Sequence, residues 1–146
     1  MKLFLFALTF IFTLTLQAFQ EDLSFKINQA DSLLTEKEYQ LSANLWKEIL
    51  QLSEEVSPQY ILSSSKLQFS NGKLLESNGD YSNAAEAYQK ALTIIENYNT
   101  TTQTHYRVDI YNALYHALAY AGNWQAALER GNEGLTLFDK SIDQET

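Results

Sequence analysis

The side chains best suited to chemistry in this chain are its two histidines and a nearby carboxylate. His105 and Asp109 stand four residues apart and would share one face of a helix, where they could supply half of a metal site. His116 follows seven residues after Asp109, but no third ligand stands at a suitable spacing. We therefore interpret the His105 and Asp109 pair as a surface contact near the start of a helix.

Other groups that would indicate an enzyme are missing from the sequence. The chain has no cysteine nucleophile, and its five glycines do not form a phosphate-binding loop. The formal net charge is -8, which repels phosphate backbones, so we expect no nucleic-acid partner. The sequence therefore predicts a protein that is not an enzyme and that holds no cofactor or metal.

Short breaks divide the chain into helical segments. Apolar residues recur at spacings of three and four, which is typical of amphipathic helices. Ser57 and Pro58 indicate a helix start, because serine caps free N–H groups and proline lacks a donor that would be orphaned there. Gly79 and Gly122 predict helix ends. The pattern predicts an all-α fold of six helices in three antiparallel pairs, the first capped by Asp22, with turns at about 36–38, 79–80 and 122–123.

The first 18 residues differ in character from the rest. Lys2 gives a short positive region, residues 3–16 are apolar apart from three threonines, and Ala18 offers a small residue for cleavage. This pattern predicts a signal peptide over 1–18 and an exported protein, periplasmic or extracellular. The apolar stretch is shorter than the ~20 residues of a spanning helix, so we expect no stable membrane span. The alternative is that the segment stays uncleaved and acts as an anchor.

A set of residues recurs along the chain with a period of 42 or 43. Tyr39 stands 42 residues before Tyr81, which stands 43 residues before Trp124. A fixed period of this length is typical of repeat proteins. The middle copy of the set is the fullest and the last copy is shorter; together they comprise Gly72, Gly79, Tyr81, Ala84, Tyr88 and Ala91, then Gly122, Trp124 and Ala127.

The recurring set resembles the tetratricopeptide repeat (TPR) family. Its period matches the extended class of about 42 residues found in kinesin light chains and in the extracytoplasmic regions of bacterial sensor kinases. The resemblance implies an α-solenoid of three antiparallel helix pairs in a right-handed superhelical stack. It places a TPR-like domain at 19–146, with repeats at about 22–56, 57–98 and 102–140.

Two features of the repeats bear on packing. Tyr81 and Trp124, just past the turns, are expected to wedge between successive hairpins. In the last repeat Tyr115 replaces the glycine of the first helix, and Gly131 and Gly134 replace an aromatic residue and an alanine. Each glycine costs ~1 kcal/mol relative to alanine inside a helix. The pair therefore predicts either a close approach by another backbone or a weak, fraying end.

The resemblance also implies where a partner binds. In this family the concave face, formed mainly by the first helix of each pair, holds a peptide or a partner protein. Five of its positions here are expected to contact the partner, with Phe69 and Tyr120 as apolar anchors and Lys73, Asn112 and His116 as polar contacts. We expect a secreted or periplasmic protein–protein interaction scaffold whose partner is a protein or peptide of unknown identity. The alternative is the N-terminal sensor input region of a larger signalling protein, for example a histidine kinase.

The last predicted helix carries apolar residues that no predicted neighbour covers. They are Leu128, Leu135, Leu137 and Phe138. A solenoid needs a polar surface at its end, and an apolar patch usually marks an interface. We therefore expect this helix to mediate a homo-oligomer or to contact further repeats.

Overall fold

The described part of the protein is entirely helical. The structure is a computed structural model that describes residues 2–54, 57–97 and 103–145, with side chains from residue 13 to 140 except 14 and 16. These residues contain no strand, and the predicted all-α class with six helices is confirmed. The repeat boundaries predicted at 56, 98 and 102 lie outside the described residues. The helices are α1 (Lys2–Thr35), α2 (Tyr39–Leu52), α3 (Pro58–Ser77), α4 (Tyr81–Glu96), α5 (Thr104–Tyr120) and α6 (Trp124–Glu145).

The first helix is longer than the sequence indicated. A start at Asp22 was expected, but α1 begins at Lys2, because no glycine or proline interrupts the chain before Thr35. The side chains described before Leu23 are all exposed, and Leu23 is the first to pack against buried residues. Cleavage after residue 18 stays a prediction. Among the described residues no helix carries an apolar stretch long enough to cross a bilayer.

Three short turns with one shared geometry join the helices in pairs. Lys37, Gly79 and Gly122 each adopt a left-handed backbone, with φ of 67°, 78° and 83°. In the middle turn the N–H groups of Gly79 and Asp80 donate to carbonyl oxygens of the last turn of α3, both at 3.0 Å. Equivalent bonds close the other two turns, and this pattern is the Schellman motif. The turns therefore lie where the sequence predicted them, 42 and 43 residues apart.

Lys37 is the one non-glycine residue among the three left-handed positions. Replacing it by glycine is expected to raise the free energy of unfolding by about 0.5–1 kcal/mol. The left-handed conformation costs an L-residue about 1–2 kcal/mol, and part of the relief is offset by the greater freedom of glycine in the unfolded chain. Urea denaturation measures the change, with Gly79→Ala as a control expected to destabilise. An unchanged or lower midpoint for Lys37→Gly would contradict this expectation.

Each helix packs mainly against its neighbours in the sequence, from α1 on α2 through to α5 on α6. α4 therefore lies between α3 and α5, whereas α6 has only α5 as a major neighbour among the described residues. The buried apolar side chains form two clusters. The smaller joins α1 and α2 through Ala30, Trp46 and Ile49. The larger joins α3, α4 and α5 and contains the fully buried Tyr88, Leu92, Ile95 and Ile110 and the nearly buried Leu114.

Where the paired helices cross, a small residue on one helix faces a large residue on the other. In the middle pair the small residue lies on the first helix, and in the last pair it lies on the second helix. A Cβ atom placed on Gly72 of α3 would lie 2.4 Å from the ring of Tyr88 on α4. In the last pair a Cβ atom on Gly131 of α6 would lie 3.1 Å from the ring of Tyr115 on α5. Tyr115 and Gly131 stand 43 residues after Gly72 and Tyr88. Although the last pair departs from the repeat pattern, the crossing of α5 and α6 still combines one aromatic ring with one glycine.

The first pair also has a small and a large residue at these positions, and the last pair has a second close contact. Ala30 and Trp46, 42 residues before Gly72 and Tyr88, are both fully buried. In the last pair a Cβ atom on Gly134 would lie 2.7 Å from the Cβ atom of Tyr111. The close approach predicted for the glycines of α6 is thus made by tyrosine side chains of α5 rather than by another backbone.

The two aromatic residues expected to wedge between hairpins differ in their surroundings. Tyr81 is partly buried, and its ring stacks on Tyr120 of α5 at 4.9 Å between centroids. Trp124 is 64% exposed, so the expectation is wrong for this residue. Tyr81 is covered by the helix that follows its own pair, and no such helix follows α6 among the described residues.

Candidate functional site

One side of α5 presents a row of exposed polar and aromatic side chains. Asn112, His116 and Tyr120 follow one another at four-residue spacing, which places them on one side of the helix, and all three are exposed. Among the residues whose side chains are described, Tyr120 is the most exposed large hydrophobic residue, at 68%. These three residues are called the α5 ridge below. The opposite side of the helix turns to the interior, where Ile110, Ala113, Leu114 and Ala117 are buried.

The rings of the α5 ridge are held by neighbouring aromatic residues. Tyr120 stacks on Tyr81 with an interplanar angle of 26°. His116 packs edge-on to Tyr115, with 5.0 Å between centroids. Offset-stacked and edge-to-face pairs of this kind are favourable arrangements. The exposed rings are therefore positioned by the protein before any partner arrives.

Lys66 connects three helices on one side of the molecule. Its Nζ lies 2.6 Å from Oδ1 of Asp31 on α1, and 4.7 Å from the ring centroid of Tyr106 on α5. The ammonium group thus combines an ion pair with a cation–π contact. Because Lys66 belongs to α3, this contact brings α1, α3 and α5 together on a shared face. Sequence reasoning did not single out Tyr106, although its spacing of four from Ile110 gives it the position of a core residue.

Lys73 sits in a second cluster on the same helix. Its Nζ lies 3.1 Å from Oε2 of Glu76 and within 6 Å of the ring centroids of Phe69 and Tyr88. The hydroxyl of Tyr88 donates to the same Oε2 atom at 2.6 Å. Burial raises the pKa of Tyr88, and the bond to Glu76 raises it further, so the hydroxyl stays protonated and remains a donor. The positive charge of Lys73 is therefore matched by a carboxylate.

Phe69 lies beneath the face rather than on it. Only 7% of the residue is exposed, and its ring packs against Tyr88 at 5.4 Å and Tyr106 at 5.8 Å. Tyr106 covers it because α5 lies over α3 at this point. Of the five residues expected to contact a partner, Phe69 therefore offers the least surface, while Lys73 is partly exposed and the α5 ridge fully available.

Buried hydroxyl groups tie the helices beneath this face together. Ser65 donates to the carbonyl oxygen of Ala91 at 2.8 Å and contacts the hydroxyl of Tyr106 at 3.1 Å. Burial raises the pKa of Tyr106, which keeps that phenol protonated. Each hydroxyl has a partner, as buried polar groups require, so we interpret these contacts as structural.

The histidine and carboxylate pair considered for metal binding lies at the start of α5. His105 and Asp109 are both exposed. Within the described residues no three His, Asp or Glu side chains lie close enough to hold a metal ion. Their role as a surface contact stays a prediction.

Comparison with known proteins adds nothing to this geometry. No family model matches the chain, and no curated protein or solved structure matches it either. The function of this face therefore rests on its own contacts, charges and exposed area.

Proposed function

We propose that this chain is a protein–protein interaction scaffold, a TPR-like α-solenoid whose three helix pairs stack with a right-handed twist. Packing between consecutive helices and three equivalent turns at 42 and 43 residues support this architecture. The partner binds the face formed by α1, α3 and α5. The proposed signal peptide would place this interaction outside the cytoplasm.

The α5 ridge is the observation that carries the proposal. An exposed tyrosine ring that is already stacked loses little freedom when a partner covers it, so more of the contact energy appears as affinity. Tyrosine is also among the residues that most often dominate binding energy at interfaces. Asn112 adds an amide that can both donate to and accept from a peptide backbone. The ridge thus supplies an apolar anchor beside a polar contact.

The charges of the face favour a partner that is recognised mainly by shape and aromatic contact. Lys66 is paired with Asp31, and Lys73 with Glu76. Because both cations have carboxylate partners, neither offers an unpaired positive charge to an acidic segment. We therefore expect a partner segment rich in apolar and aromatic residues, with an affinity that depends weakly on salt.

Selection from a displayed peptide library, followed by affinity measurements on chain variants, tests the proposal. Tyr120→Ala is expected to weaken the selected peptides at least about tenfold, and Asn112→Ala by a smaller factor. Leu41→Ala is the matched control, since Leu41 is 52% exposed on α2, away from this face. It should leave the affinity unchanged.

The variants also separate binding from stability. Tyr120→Phe keeps the stack on Tyr81 and should retain most of the affinity. Tyr120→Ala removes the stack as well as the binding contact, so its melting curve is compared with that of the wild type to detect a loss of stability. The proposal is wrong if no peptide binds more tightly than about 1 mM, which is about -4 kcal/mol. Equal affinity for wild type, Tyr120→Ala and Asn112→Ala would also refute it.

A further inference from the structure

The outward side of α6 carries a regular row of apolar side chains. Trp124, Leu128 and Leu135 are 64%, 59% and 60% exposed, and Phe138 is 42% exposed. Gly131, whose Cβ direction faces the ring of Tyr115 on α5, lies at the inner edge of this row, and with it the residues follow at spacings of four, three, four and three. They are called the α6 seam below. Such spacing is that of the contact positions of two helices packed side by side.

The equivalent residues of α4 show what normally covers such a seam. Leu128, Leu135 and Phe138 stand 43 residues after Ala85, Leu92 and Ile95. Those three residues of α4 are 6%, 0% and 0% exposed, because α5 packs over them. The α6 seam is thus the counterpart of a surface that is buried by a helix elsewhere in the same chain.

The helix that covers α4 has a recognisable pattern. Tyr120, near the C-terminal end of α5, stacks on Tyr81 at the start of α4. Near the other end Tyr106 contacts Ser65, whose hydroxyl also reaches the backbone of α4 at Ala91. The two helices are therefore antiparallel. The residues of α5 along this contact again follow at four, three, four and three: Tyr106, Ile110, Ala113, Ala117 and Tyr120.

We propose that the α6 seam is covered by α6 of a second copy of this chain, which takes the place that α5 takes on α4. The seam has the required pattern, with an aromatic residue at each end and a small residue in the middle. Trp124 and Phe138 each stand seven residues from Gly131. An antiparallel pair with its two-fold axis near Gly131 therefore places Trp124 against Phe138 of the partner subunit and Leu128 against Leu135 of the partner subunit.

A groove beside the seam fits the incoming aromatic ring. The groove lies between α5 and α6, has a volume of about 350 Å³ and is lined by Val108, Asn112 and Phe138, among others. Val108 and Asn112 stand 43 residues after Ser65 and Phe69, which both contact Tyr106. The ring of Trp124 from the second copy would enter here. Valine in place of serine suits the apolar part of an indole, and the amide of Asn112 can accept its N–H.

The charges beside the seam do not oppose this pairing, although the chain carries a formal charge of -8. In the antiparallel arrangement Gln125 lies within a turn of Asp139 of the partner subunit, and Asn132 lies close to the axis and so near Asn132 of the partner subunit. Neither pair places two like charges together, and both can form hydrogen bonds. The contact is therefore self-complementary in charge as well as in shape.

Sedimentation equilibrium of the full chain from about 1 to 300 µM tests the proposal. We expect a reversible dimer whose dissociation constant rises at least about 30-fold in Leu135→Glu and in Leu128→Glu. Both leucines are largely exposed, so these variants should fold, and their melting at low concentration checks this. Leu41→Glu on α2 is the matched control and should dimerise like the wild type.

The absence of cysteine from the sequence gives a second, geometric test. In Asn132→Cys the two introduced thiols should lie near the two-fold axis, and oxidised glutathione should link the dimer by a disulfide. Asn44→Cys, at an exposed position of α2, should not be linked.

Three results would overturn the proposal. The first is a monomer at every concentration. The second is a dimer that persists in Leu135→Glu together with no crosslinking of Asn132→Cys. The third is a monomer that binds a helix-stabilised peptide of residues 103–121 at the α6 seam. The last result would identify a partner helix as the occupant. Asn112 is the one residue that both proposals use. The dimer is tested by substitutions on α6 and peptide binding by Tyr120, which the dimer contact does not include, so failure of either proposal leaves the other standing.

Discussion

Exchanging Gly72 and Tyr88 together is expected to destabilise the protein by about 2–3 kcal/mol less than the sum of the two single substitutions. Gly72→Tyr alone places a second ring in a space already filled by Tyr88, where even a Cβ atom would lie 2.4 Å from the ring. Overpacking of this kind costs 1–3 kcal/mol or more. Tyr88→Gly alone removes a fully buried ring, at a cost of about 3–5 kcal/mol plus about 1 kcal/mol for glycine in a helix.

The double variant would reproduce the arrangement of the last helix pair, where Tyr115 faces Gly131. Recovery should be incomplete, because the exchange removes the bond from Tyr88 to Glu76. Urea denaturation of the two single variants and the double variant gives the coupling energy, expected to be about 2–3 kcal/mol in favour of the pair. If the single variants do not fold, Gly72→Ala and Tyr88→Ala form a milder cycle. Additive effects in both cycles would show that the two residues do not share one space.

Trp46→Ala is expected to lower the free energy of unfolding by about 4 kcal/mol, whereas Trp124→Ala should lower it by less than about 1 kcal/mol. Trp46 is fully buried between α1 and α2, and its loss leaves a cavity beside Ala30 and Ile49. Trp124 is 64% exposed, so little apolar area returns to water when it is removed.

The same residue type at two positions makes this a controlled comparison. Thermal or urea unfolding at low micromolar concentration measures the chain where the proposed dimer is least populated. Similar losses for both variants would mean that Trp124 is covered in solution, contrary to its exposure in the folded chain.

Local backbone chemistry made the helices and turns predictable from the sequence. Ser57 caps α3 by accepting the N–H of Tyr60 at 3.1 Å, as its position before proline indicated. Gly79 and Gly122 end their helices in the left-handed conformation for which glycine is suited. These signals act within a few residues, so one sequence is enough to interpret them. Lys37 gave no such signal, because a lysine only adopts this conformation when the surrounding helices impose it.

Burial and exposure were harder to predict because they depend on which helix lies alongside. Phe69 was expected on the concave face and Trp124 between hairpins, yet Phe69 is covered by α5 and Trp124 has no following helix among the described residues. In the last pair, tyrosine and glycine stand at each other's positions relative to the middle pair. The sequence of neither helix alone explains this, because the reason lies in the contact between Tyr115 and Gly131. The ion pair between Lys66 and Asp31 likewise joins α3 to α1 through two residues that are 35 positions apart in the sequence. The exposed α5 ridge, by contrast, follows from helical spacing within one segment.

The presence of two hydrophobic clusters bears on how cooperatively this chain unfolds. The cluster of α1 and α2 is small, and its links to α3 include the contact between Ser42 and Ser70 and the ion pair of Lys66 with Asp31. Leu34 and Leu67 add apolar contacts across this joint. Because the first hairpin has the smaller buried cluster, its amide hydrogens should still exchange with solvent sooner than those of α4. A ligand that contacts both α1 and α3 would stabilise the packing of the first hairpin on α3. Ligand binding at the face would then slow hydrogen exchange throughout the first hairpin, including α2, although the ligand contacts only α1 of that hairpin.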